Sequence, residues 1–163
     1  MPYEYLDNPA AAGGRIHFRH PESEDDAAAY VTPTTLAEKG IAFAYVNAGH
    51  VDEYEALNSL GRQLRTDHPP YDPSPAAGMN GWYRFMDDLE TLGDREAGMV
   101  IIVDSAANLF ADPQSWGFKL ISMWVLQLPR WRKRKAPCHL AFQMEADPAV
   151  EAIYGEEKGR LSV

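Results

Sequence analysis

The run GMVIIVD, residues 98–104, constrains this chain more than any other segment. Its unbroken apolar stretch between Gly98 and Asp104 leaves no polar face, so a strand built from it must be covered on both sides. Such strands belong to parallel sheets packed with helices, and parallel neighbours need long crossover connections. Two more strand candidates stand at crossover distance: IAFAYV at 41–46, rich in β-formers, and CHLAFQM at 138–144. The segments between them are helical in period. In 51–67, Tyr54, Leu57, Leu60, Gly61 and Leu64 share a face, with acids at its start and Arg62 and Arg65 near its end, as the helix dipole favours. In GMNGWYRFMDDLETL, residues 78–92, the apolar face is Trp82, Phe85, Met86, Leu89 and Leu92, with Asn80 as N-cap. A third stripe holds Trp116, Leu120, Trp124 and Leu128, started by Asp112–Pro113 and broken or kinked by Pro129.

The expected fold is therefore α/β: a three-stranded parallel sheet packed with helices in residues 41–144. Four prolines exclude regular structure from 68–78, and SAANLFADP reads as a loop or short helix. Residues 1–40 read as an N-terminal extension, in which RIHF is a short strand candidate and TPTTLAEKG a helical turn stopped by Gly40. Residues 145–163 read as a last short helix and tail.

The 163 residues suffice for one domain with a proper core. A net charge of −9 argues against nucleic acid as the main partner and permits a basic protein. The single cysteine, Cys138, excludes an intramolecular disulfide and fits a reducing compartment. The N-terminus lacks the pattern of a secretory signal, and LISMWVLQL is too short to span a bilayer. A soluble, cytoplasmic protein without membrane contact is the expectation.

Catalytic signatures are sparse. None of His17, His20, His50, His68 and His139 stands at metal-ligand spacing, and no metal or cofactor is expected. The sequence has no G-x-S-x-G elbow, no phosphate-binding G-x-x-x-x-G-K-[ST] and no G-x-G-x-x-G. Cys138 and His139 are adjacent in a strand and point to opposite faces, so they form no dyad. Asp104–Ser105 closes a strand where α/β proteins often place sites, which leaves a small hydrolase or nuclease as one alternative. RWRKRK, residues 130–135, offers another: a nucleic-acid contact with Trp131 stacking on bases. Its plainer reading is a cationic helix end. Asp87 and Asp88, adjacent on a helix, diverge by about 100° and cannot clamp one small atom together. Asp88 is placed to pair with Arg84.

Together, EALNSLGRQLRTDHPPYDP, GMNGWYRFMDDLETL, GMVIIVDSAANLF and LISMWVLQLPRWRKRKAPCHLAFQ resemble the barstar family of small immunity proteins over residues 41–144. The resemblance lies in the order and spacing of elements. It implies a non-enzymatic inhibitor that plugs the basic active site of a cognate toxin, a ribonuclease or other nuclease, with the exposed face of the second helix. The family's chief acidic residue would fall on Asp87, its loop tyrosine on Tyr71 and the glycine before the helix on Gly78. Tyr83, Asp88 and Glu90 complete the implied partner-binding set. Tyr83 stands where the family often carries a second aspartate, and Lys119 and Trp116 where an acid of a later helix would assist.

Overall fold

Among the described residues four parallel strands form one sheet: β1 (Arg15–Arg19), β4 (Cys138–Gln143), β3 (Gly98–Asp104) and β2 (Ile41–Asn47), in that order across it. The elements of this computed structural model are β1 (Arg15–Arg19), β2 (Ile41–Asn47), α1 (Glu53–Leu64), α2 (Asn80–Arg95), β3 (Gly98–Asp104), α3 (Ala107–Ala111), α4 (Trp116–Arg134) and β4 (Cys138–Gln143). The structure describes residues 15–19, 38–66, 70–72, 80–134 and 136–144. The readings at 1–14, 20–37, 67–69, 73–79, 135 and 145–163 lie outside these.

The continuous apolar run behaves as its composition demands. β3 is interior to the sheet and buried from Gly98 to Val103. It pairs with β2 from Ile41↔Gly98 to Asn47↔Asp104, and with β4 from Met99↔Cys138 to Val103↔Phe142. Alternation along the strands sends Met99, Ile101, Val103, Cys138, Leu140 and Phe142 to the helix-covered face. Val100, Ile102, Ala141 and Ile41 go to the other face, with Phe43 and Tyr45 packed on them. Cys138 and His139 accordingly part to opposite sides, both buried. The expected three-stranded parallel sheet is present as β2–β3–β4. RIHF extends to a fourth strand: β1 pairs with β4, Arg15↔His139 to Arg19↔Gln143, so this part of the N-terminal extension belongs to the sheet. A five-residue edge strand with charged ends carries too little periodicity to announce its partner.

Local signals account for the helix boundaries. Asp52 caps α1 by accepting the Glu55 N–H at 2.8 Å. Arg65 ends it in the left-handed region (φ 59°), with Thr66 N donating to Gly61 O. Gly40, at φ +75°, makes the stop expected before β2. Pro129 does not end α4, which continues to Arg134. Its missing N–H deprives the Val125 carbonyl, and both residues lie on the solvent side, where water can replace the bond. Asp112 and Pro113 start no helix; they form a turn, with Asp112 accepting from Gln114 N and Ser115 N, and α4 begins at Trp116.

Candidate functional site

The acidic helix α2 is anchored on several sides. Trp82, Phe85, Leu89 and Leu92 are buried in the core. Trp82 meets Phe85 edge-on at 6.2 Å between ring centroids, and Phe85 meets Tyr71 at 5.5 Å. Near the helix start, Glu53 of α1 accepts from Trp82 Nε1 at 2.9 Å and from Lys119 Nζ at 2.5 Å. Lys119 also stands 5.8 Å from the centre of the Trp82 ring. Toward its end, Arg130 of α4 pairs with both Glu90 and Asp94. These ties at both ends set α2 and α4 side by side, running the same way.

A third support comes from the proline-rich connection. Asn58 holds Tyr71 through both backbone groups, accepting from its N–H at 2.7 Å and donating to its carbonyl at 2.9 Å. The Tyr71 ring lies where a side chain on Gly61 would sit: a Cβ there would come within 2.6 Å of it. The Tyr71 hydroxyl donates to the Asp88 carboxylate and lies 2.5 Å from Thr66 Oγ1. Gly81 permits the close approach of the Asp72 backbone to α2. Residues 70–72 are thus wedged between α1 and α2.

This geometry sorts the sequence-derived site residues. Tyr83 (55% exposed) and Asp87 face solvent. Glu90 also lies on the surface, but Arg130 engages it, so the patch has a cation the helix's own sequence does not supply. Tyr71 (1% exposed) and Asp88 (5%) are interior residues that bond to each other, and neither presents its side chain to a partner in this conformation. Asp88 therefore belongs to the α1–α2 junction rather than to a surface pair with Arg84. Gly78 lies outside the described residues. Tyr83, Asp87, Glu90 and Asp94 recur at helical spacing and make one outward stripe. Leu126, 67% exposed and one turn before Arg130, lies on the neighbouring flank of α4. The sequence reading missed Leu126 and the Arg130 ties; the acids at 90 and 94 and the cation at 130 were the available signal.

The alternative sites change character. Asp104, at the end of β3, accepts from the Tyr45 hydroxyl at 2.5 Å and from Ser105 N at 2.7 Å, so its carboxylate closes a local turn. Ser105 adopts φ 52° there. Gln143 ends β4 buried, its Oε1 lacking a hydrogen-bond partner among the described residues. No cluster of His, Cys, Asp and Glu among the described residues is arranged to hold a metal. In the basic segment Trp131 is buried and packs on Trp124 at 4.6 Å, so it offers no stacking surface to a base. No described helix is long and apolar enough to cross a membrane.

Together these features define an α/β protein with a parallel four-stranded sheet and one anchored helix showing an acidic and aromatic face. No protein-family model and no curated protein matches the sequence. Among solved structures the chain is similar to the Aeropyrum pernix ORC2 protein in its ADPNP–ADP complexes, with a TM-score of 0.59 and 14% identity over 97% of this chain and 42% of that one. The ADP form of the same protein gives a TM-score of 0.57 and 14% identity over 97% and 43%. A likeness at this identity concerns the fold alone, and this chain spans less than half the length of that protein.

Proposed function

We propose that the chain is a non-enzymatic inhibitor, a barstar-like immunity protein that binds the basic active site of a cognate toxin, a nuclease, in the cytoplasm of the cell that makes both. The observation that carries this reading is the outward placement of Asp87 and Tyr83 on a helix anchored at both ends. A carboxylate on a rigid helix can mimic phosphate in a site built from Arg, Lys and His. Tyr83, and the exposed Leu126 of the neighbouring helix α4, would give anchoring area around that charge. The net charge of −9 adds long-range attraction to a basic protein. The commitment of Asp104 to Tyr45 and Ser105 favours binding over hydrolysis at the strand ends.

The test is capture from lysate of the source cell by wild type and Asp87→Arg in parallel, followed by nuclease assay of what is recovered. The expected result is one basic protein held by wild type alone, whose nuclease activity wild type abolishes. Equal capture by both baits would remove α2 from the interface.

The likeness to ORC2 favours a second reading, because those structures are complexes with ADPNP and ADP. A nucleotide would enter at the carboxyl ends of β1 and β4, where the strand order reverses and the buried Gln143 amide lies. The absence of a phosphate-binding loop motif from the sequence weighs against it. Calorimetric titration with ADP decides: saturable heat lost on Gln143→Ala would support this reading, and none would reject it.

A further inference from the structure

β2 is an edge strand: its whole length pairs with β3, and its far side has no neighbouring strand among the described residues. In a parallel ladder, alternate residues turn both N–H and C=O to the same side. Tyr45 turns both outward, and both are met by one side chain. Gln63 Oε1 accepts from Tyr45 N at 2.8 Å, and Gln63 Nε2 donates to Tyr45 O at 2.8 Å. Gln63 Nε2 also bonds Ser59 Oγ one turn back at 2.9 Å, which fixes the amide in place. This reciprocal pair is the bonding that the opposite residue of an antiparallel strand would supply.

Ile41 and Phe43 share the outward parity of Tyr45. They line an open groove of about 210 Å³ along the edge, with Gln63, Leu64, Arg65 and Glu96 as its other wall. A second copy of β2, related by a two-fold axis, would run antiparallel to the first. Centred on Phe43, such a pairing sets Phe43 opposite Phe43, and Ile41 opposite Tyr45 on both sides of the axis. The edge is thus complementary to itself. With Gln63 seated, both outer pairs are blocked and only the central one remains.

We propose that Gln63 is an edge guard, whose amide takes the place of an antiparallel strand on β2 and prevents two copies of this chain from pairing through that edge. The occupant excluded is a second copy, whose β2 carries the same edge: a two-fold centred on Phe43 matches each outward residue of one copy with an outward residue of the other. Edges left open are a common route to unwanted association, and proteins manage them by such local devices.

The experiment measures amide exchange and sedimentation of the full chain, for wild type, Gln63→Ala and Gln63→Met, which retains the aliphatic stem. Wild type should sediment as one copy with the Tyr45 amide protected. In the variants at low concentration, exchange at Tyr45 should rise about fivefold or more, as expected for loss of a hydrogen bond. At higher concentration the variants should form a dimer in which Tyr45 regains protection and Ile41 and Phe43 gain it. Adding Phe43→Pro, which removes the central outward N–H at an edge position that tolerates proline, should abolish that dimer. Unchanged Tyr45 exchange in both variants would overturn the proposal. So would variants that remain single copies at all concentrations, or a dimer that survives Phe43→Pro.

Discussion

Asp87 faces solvent while Asp88 is buried beside Tyr71, because adjacent helix positions diverge by about 100°. Two chemically identical side chains therefore predict opposite results. Asp87→Ala should leave stability within about 0.5 kcal/mol of wild type. It should weaken the toxin complex by about 2 kcal/mol or more, read by calorimetry on the captured partner. Tyr71→Phe should instead cost about 1–3 kcal/mol in urea unfolding, since the lost hydroxyl bonds Asp88 and adjoins Thr66. An Asp87→Ala variant with undiminished affinity, or a Tyr71→Phe variant of unchanged stability, would contradict these assignments. The exposed acid was legible from the helical period. The buried one was legible in position, since Asp88 follows Phe85 by three and precedes Leu92 by four, but its partner was not. A tyrosine from a distant turn, whose hydroxyl bonds the carboxylate, helps make it tolerable there.

At the scale of elements, α2 and α4 meet through Gly93 and Trp131. A Cβ at position 93 would collide with the Trp131 indole, whose Nε1 lies over the glycine. Trp131 is buried against Trp124 and has little freedom to yield. Gly93→Ala should therefore destabilise the chain by about 1–3 kcal/mol in urea unfolding. This runs against the gain of about 1 kcal/mol that alanine brings to a helix interior. A stabilised variant would show that the two helices can separate slightly at no cost. The helices themselves were readable from their apolar stripes, and β3 from its unbroken run. The continuation of α4 beyond Pro129 was hidden, because the cost of a proline depends on whether the orphaned carbonyl faces water.

The whole molecule is a sheet of parallel strands, and its stability at high pH should reflect one core residue. Burial pushes the Cys138 thiol from an ordinary 9.0 up to about 12, against smaller opposing effects from the Met99 backbone and Arg134. Between those values the unfolded chain loses a proton that the folded chain keeps. This contribution to stability is thus full below pH 9 and declines toward pH 12, by at most about 1.4 kcal/mol per pH unit. Cys138→Ala should show a shallower decline over that window in urea unfolding, and an identical slope would refute the assignment. The class of fold was evident from three strands and their helical connections, whereas membership of β1 was a long-range fact. That pairing also bears on synthesis. β1 leaves the ribosome well before its neighbour β4, which follows more than a hundred residues later. At about 5–20 residues per second, β1 waits roughly 6–25 s without its strand partner. For that interval the nascent chain carries a strand without its sheet neighbour, and keeping that segment apart from other chains falls to the cell until Gln143 is made.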